Sequence, residues 1–235
     1  MLLALHMLAL GVGTIMFLGI ILLHRRARAV QPMAHPDGSP VYPGLDFTHR
    51  PARWLAIRSL HPKAVQAALG AGHPVRCPGS EGLTGDHLFF IRPPVKDWII
   101  VTGSGLPHPG HDVDRCFHFL IRLSRMLGQV QFFLADPLLN HHAWVRVENG
   151  VVRRAYVWAN ETAWNQGAKS ISEIELDMKC FGYGEAAGMG DSATEASAAA
   201  NVKKVLSLAA RWSFDPTAIE RCLPGPDRGI AGKSS

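Results

Sequence analysis

Apolar residues recur along this chain in three rhythms, and each predicts a different kind of element. From Leu2 to Leu23 a stretch of 22 residues carries no acidic or basic side chain apart from His6 and is apolar almost throughout. At about 1.5 Å rise per residue such a helix covers roughly 33 Å, enough for the ~30 Å hydrocarbon core of a bilayer. Short alternating or continuous apolar runs predict strands over 54–59, 88–91, 98–102, 129–134, 140–147 and 151–158. Spacing at i, i+3 and i+4 predicts a helix over 113–127. There Val113, Cys116, Phe117, Leu120, Leu123, Ser124 and Leu127 form one stripe, opposite Arg115, Arg122 and Arg125. Asp112 is placed to cap that helix and Gly128 to end it. Shorter helices are expected over 63–69, 172–181 and 202–212, the last capped by Asn201. A Pro/Gly loop before Leu88 and a Gly/Ala/Ser-rich connector over 182–200 separate these elements.

This order predicts an α+β fold, a mainly antiparallel sheet with packed helices, preceded by one N-terminal transmembrane helix. The boundaries are 1–29 for the anchor with its basic collar, 30–51 for a Pro/Gly linker, 52–223 for a single α+β domain and 224–235 for a disordered tail. The clearest local signal inside the domain is Asn149-Gly150, which favours a type I′ hairpin turn between 140–147 and 151–158. With those residues in the turn, Glu148 faces Val151 and Val147 faces Val152. Ala143, Val145, Val147, Val152 and Tyr156 then share the inward face, and Trp144, Arg146, Glu148, Val151 and Arg153 share the other. Arg146 is expected opposite Arg153, with Glu148 offsetting their repulsion.

Charge sets the orientation. Arg25, Arg26 and Arg28 follow the apolar segment directly, and basic residues beside a span stay in the cytoplasm. The N-terminus is therefore expected outside and the domain in the cytoplasm. A cleaved signal peptide would carry its charge before an apolar stretch of about 7 to 15 residues, so the segment reads as an uncleaved anchor. The net charge of +5 looks basic until it is divided: beyond residue 30, 21 basic face 19 acidic residues. That balance argues against a nucleic-acid partner and leaves the membrane and another protein as the expected partners. The four cysteines, Cys77, Cys116, Cys180 and Cys222, follow no metal-clip spacing and are expected as free thiols in a reducing cytoplasm.

Three groups of residues are able to carry chemistry. His108, His111, Asp112, Asp114 and His118 surround the start of the 113–127 helix with metal-ligating side chains. Their spacing matches no ligand pattern, so a capping Asp among surface histidines is the expected outcome, with no metal and no cofactor. Trp144, Tyr156, Trp158 and Trp164, beside Asn160-Glu161-Thr162, are candidates for a binding surface, weighed against ordinary large core residues.

In the third group, Cys116 begins a helix, His142-Ala143-Trp144 lies on a following strand and Asn160 lies at the end of its partner. Over residues 116–160 this resembles the core of transglutaminase-like cysteine enzymes. The resemblance implies Cys116 as nucleophile, His142 as base and Asn160 as the group that orients it. The residues themselves raise two objections. Asp112 and Asp114 beside Cys116 oppose a thiolate, and the hairpin register puts Asn160 on the face of His141 rather than His142. His141 is thus the alternative base, and a buried, inert Cys116 the alternative to any catalysis.

More broadly, Arg92-Pro93-Pro94 to Gly103, Leu123-Ser124 to Phe133 and His142-Ala143-Trp144 to Tyr156 are similar to an uncharacterised bacterial family of α+β proteins, membrane-anchored or soluble. That resemblance implies a bacterial origin, hence the inner membrane, and no activity. The expected function is a membrane-anchored cytoplasmic binding or accessory module, with a cysteine hydrolase or acyltransferase using Cys116 as the alternative.

Overall fold

In the computed structural model, residues 52–84, 87–185, 191–215 and 228–234 are described. The anchor and linker expected over 1–51 lie outside them. The strands are β1 (Arg53–Arg58), β2 (Ala71–Pro78), β3 (Phe89–Ile91), β4 (Trp98–Thr102), β5 (Gln129–Asp136), β6 (His141–Glu148), β7 (Val151–Trp158), β8 (Thr162–Gln166) and β9 (Arg228–Ser234). The helices are α1 (Pro62–Leu69), α2 (Gly79–Thr84), α3 (Val113–Leu127), α4 (Ile171–Glu175) and α5 (Asp191–Trp212). All nine strands join one antiparallel sheet in the order β2-β9-β3-β4-β1-β5-β6-β7-β8. The fold is α+β, as the order of elements predicts.

Helices cover the sheet on both faces, which is why its central strands are apolar almost throughout. On one face α1 and α3 pack over Leu55, Ile57, Val101, Phe132, Val145 and Val157. On the other, α5 and the segment after α4 pack over Trp54, Ala56, Ile100, Phe133, Trp144 and Tyr156. Residues that alternate in sequence along β1 and β5 therefore enter different cores.

Five expectations are corrected. The residues beyond the tail boundary at 224 include a strand: β9 lies between β2 and β3. The Pro/Gly loop before Leu88 contains β2 and α2. The prolines there are tolerated because β2 is an edge strand, and its register shifts between Gly72 and Val75 where His73 takes a positive φ of 47°. Strand β8 goes unannounced, being short and polar at its end. Helix α4 stops at Glu175, with Asp177 at a positive φ of 47°, so that Met178 and Phe181 reach the core as irregular chain. Helix α5 begins at Asp191 because the Ala-rich stretch is good helix former, and Asn201 sits inside the helix rather than capping it.

The hairpin turn is where Asn149-Gly150 predicts it, with φ of 50° and 79° at the two residues. Glu148 faces Val151 and Val147 faces Val152. The register then shifts by one: Arg146 faces Arg154, so Arg153 is the extra residue of a bulge. The bulge moves Tyr156 from the expected face to that of Trp144, and puts Ala155 and Val157 in its place. Glu148 still bridges the arginines, accepting from Arg146 Nε at 2.9 Å and from Arg153 Nε at 3.2 Å.

Candidate functional site

Cys116 stands in the first turn of α3, on the stripe that its spacing predicts. Its side chain is 0% exposed and packs with Leu120, Leu123 and the sheet. Burial first, and Asp112 second, push its thiol up to about 12, so it is protonated at neutral pH. His142 projects from the opposite face of the sheet. It stacks between Trp144, at 5.6 Å between ring centroids, and Trp158, at 6.3 Å, and its Nε2 meets Asn201 Nδ2 of α5 at 3.2 Å. Burial lowers its pKa to about 3; the Asn140 backbone pushes it up and His141 pushes it down. A neutral His142 with Nε2 as acceptor is thus a core residue that fastens α5 to β6. Cys116 and His142 are on two sides of one sheet, so the residues implied by the cysteine-enzyme resemblance do not converge.

His141 and Asn160 do approach each other, at the end of the sheet where β1 and β6 begin and β5 and β7 end. The Asn160 side chain favours a proton on His141, yet neither ring nitrogen closes a hydrogen bond of ordinary geometry, and the residue is buried. The loop from Gly103 to His111 folds over the same end. Gly103 sits at a φ of 134° with Leu88 O only 2.2 Å from where a Cβ would stand, so the loop's first turn requires glycine. Further along, His108 O accepts from the amides of His111 (3.0 Å) and Asp112 (3.2 Å). The His108 and His111 rings stack at 4.4 Å, and His108 lies 5.9 Å from His141. Asp112 caps α3, accepting from Arg115 N at 2.8 Å. Burial lowers His108 to about 4, helped by His111, Arg53 and His141 and opposed by Asp136. His141 is lowered by burial as well, again against Asp136. This end of the domain therefore presents His108 and His141 as neutral imidazoles.

The protonation pattern bears on metal binding. His108 Nδ1 accepts from Gly110 N at 3.2 Å, so in the neutral ring Nε2 carries the proton and offers no lone pair to a cation. Among the described residues no group of three or more His, Cys, Asp or Glu is arranged to hold a metal ion. His118 and Asp114 are exposed on α3, His118 lying edge-on to Phe117.

The four aromatics proposed as a surface are divided between the cores. Trp144, Tyr156 and Trp158 are buried on the α5 face, where Tyr156 Oη accepts from Phe181 N at 3.0 Å. Trp164 is buried on the α3 face, edge-on to Phe117 at 5.5 Å. They share no surface, because the sheet lies between them.

Sequence reasoning misses one polar centre altogether. Arg154 and Glu173, with side chains 4% and 0% exposed, form an ion pair at 2.8 Å under α4. Glu173 Oε1 also accepts from Trp144 Nε1 at 2.7 Å, and its Oε2 from Ser170 N at 2.7 Å. Arg154 donates to the backbone oxygens of Ala155, Gln166 and Gly167 and to Asn165 Oδ1. Cys180 Sγ lies 3.2 Å from Arg154 Nη2, and burial pushes that thiol up to about 11. Every polar atom here has a structural partner, which marks a clamp rather than a reactive centre. A charged residue two places before Tyr156 is the only trace of it in the sequence, and the bulge that turns Arg154 inward is not legible there. Comparison with family models, with curated proteins and with solved structures returned no match.

Proposed function

We propose that this chain is a membrane-anchored binding or accessory module, its α+β domain facing the cytoplasm and acting through a partner protein. One observation carries the choice between binding and catalysis: the only helix-borne thiol near a helix start among the described residues, Cys116, is fully buried and separated by the sheet from His142. Burial and Asp112 raise that thiol to about 12, which leaves it protonated at neutral pH and a poor nucleophile. The anchor and its orientation rest on the Leu2 to Leu23 stretch and on Arg25, Arg26 and Arg28.

Two measurements test this. In the folded chain, iodoacetamide is expected to leave Cys116 unmodified until the protein unfolds. Rapid labelling of Cys116, lost on mutation of His141 or His142, would replace the binding reading with the enzyme. Reporters fused after Ser235 test the orientation: activity from one that works only in the cytoplasm is expected, and activity from one that works only outside overturns it.

A further inference from the structure

Among the described large apolar residues Leu138 is the most exposed, at 88%, and its neighbour Leu139 is 52% exposed. With exposed Pro137 they form the tip of the β5–β6 connection. Single exposed leucines are common on soluble proteins, but a contiguous Pro-Leu-Leu at a loop tip is a surface that water solvates poorly. The nearest carboxylate is folded back: Asp136 Oδ1 accepts from the amides of Leu138 at 2.9 Å and Leu139 at 3.1 Å. That turn fixes the tip and leaves its two leucines in solvent.

The position of the tip identifies what it meets. The backbone enters the domain at this same end, where Ala135 N donates to Ala52 O at 2.7 Å and Arg53 pairs with Leu134. The 22 residues from Val30 to Pro51 connect it to the anchor segment. A chain of that length spans at most about 75 Å, so the tip is held at high effective concentration near a bilayer. Under those conditions a few apolar side chains suffice for a second, weaker membrane contact. The charged groups at this end, Asp112, Asp114, Asp136 and Glu161 against Arg53 and Arg115, are acidic on balance, which disfavours attraction to anionic head groups and leaves apolar insertion as the contact.

We infer that Pro137, Leu138 and Leu139 insert into the interface between head groups and acyl chains of the membrane that holds the anchor, seating this end of the sheet on the bilayer. The inference rests on the anchor reading above. Its test uses the full chain reconstituted in vesicles of phosphatidylcholine and phosphatidylglycerol, with the photo-crosslinker p-benzoylphenylalanine replacing Leu138. In a control it replaces Val151, which is 51% exposed at the opposite end of the sheet. Irradiation is expected to give a lipid adduct at position 138 and none at 151, and adding Leu139→Glu is expected to abolish the adduct without changing the melting temperature. Adducts to a protein or to a second copy alone, no adduct, or equal lipid adducts at both positions would overturn the inference. Extraction with alkaline carbonate reads the anchor separately. A chain released by carbonate defeats the anchor reading and this inference with it; a chain retained without a lipid adduct at 138 defeats this inference alone.

Discussion

His142 is held neutral well below the pH at which a free imidazole takes up a proton, and that makes it a probe of how tightly α5 is fastened to the sheet. Its ordinary pKa is near 6.5 and its folded value about 3, so between those values the unfolded chain takes up a proton that the folded one refuses. The associated stability is fully present above pH 6.5 and is lost as pH falls towards 3. The slope tends towards about 1.4 kcal/mol per pH unit for each such group. His108, lowered to about 4, acts in the same direction. The expected outcome for His142→Phe is a lower melting temperature at pH 7, from the lost bond to Asn201, and a shallower fall between pH 6.5 and 4. Thermal melts across that range check it, and a fall as steep as in the unsubstituted chain would show that His142 is not the buried neutral group. At this scale the sequence is most legible where spacing alone decides. The stripe on α3 places Cys116 in the core, and that outcome follows from its period. The sequence is least legible where a loop closes over a sheet end: His108 and His111 attract notice as metal ligands, whereas their association with His141 and Asp136 depends on how the strands align.

Elements show the same division between local chemistry and distant pairing. The Asn149-Gly150 turn is local, and its two positive φ angles are what the dipeptide favours. Gly150→Val is expected to cost roughly 1 kcal/mol or more, because a β-branched residue resists positive φ. Its Cβ would also stand 2.7 Å from Arg125 Cγ, and an unchanged denaturation midpoint would contradict both points. The bulge at Arg153 is not local in this sense, since it is set by the need to bury Tyr156 with Trp144 on one side and Val157 with Val145 on the other. One extra residue reverses every face assignment beyond it, yet His141 still meets Asn160, because Asn160 has left the strand and sits at a φ of 66°. The bulge also turns Arg154 under α4, a helix of five residues held by the Ser170–Glu173 capping box and the buried ion pair. Arg154→Leu leaves Glu173 buried without its partner and is expected to cost about 3 to 5 kcal/mol. Hydrogen exchange should rise across 170–178 before it rises in β5 and β6. The double variant Arg154→Leu/Glu173→Met should recover part of the loss, since the uncompensated charge is then gone; if the double variant is as unstable as the single, the pair is not the source of the cost.

At the scale of the whole molecule, the sheet depends on a pairing that no window of sequence reveals. Strand β9 lies about 140 residues after β3 in the chain, and its sequence, with two glycines, a lysine and a serine, has the composition of a tail. It becomes a strand only because it is inserted between β2 and β3, facing Cys77 through Gly229 and Phe90 through Ala231. Glycine at 229 is required by that fit, since a Cβ there would stand 2.5 Å from Ile91 O. In the strand order β9 is the sole neighbour of β2, so the ladder of β2 exists only through the C-terminal residues. Ending the chain after Asp227 should therefore remove the hydrogen-bonded partner of β2 and expose one edge of β3, while β1 and β4 to β8 keep theirs. Two consequences are expected. Amide exchange across Ala71–Pro78 should approach that of an unstructured chain, with β5, β6 and β7 still protected, and the bared edge of β3 should make the shortened protein associate at high concentration. Substituting Gly229→Val in the full chain is the milder version, expected to loosen the same strands without removing any residue. If the truncated chain retains slow exchange in β2, the C-terminal strand is not what organises that edge, and the nine-strand order is wrong at β9.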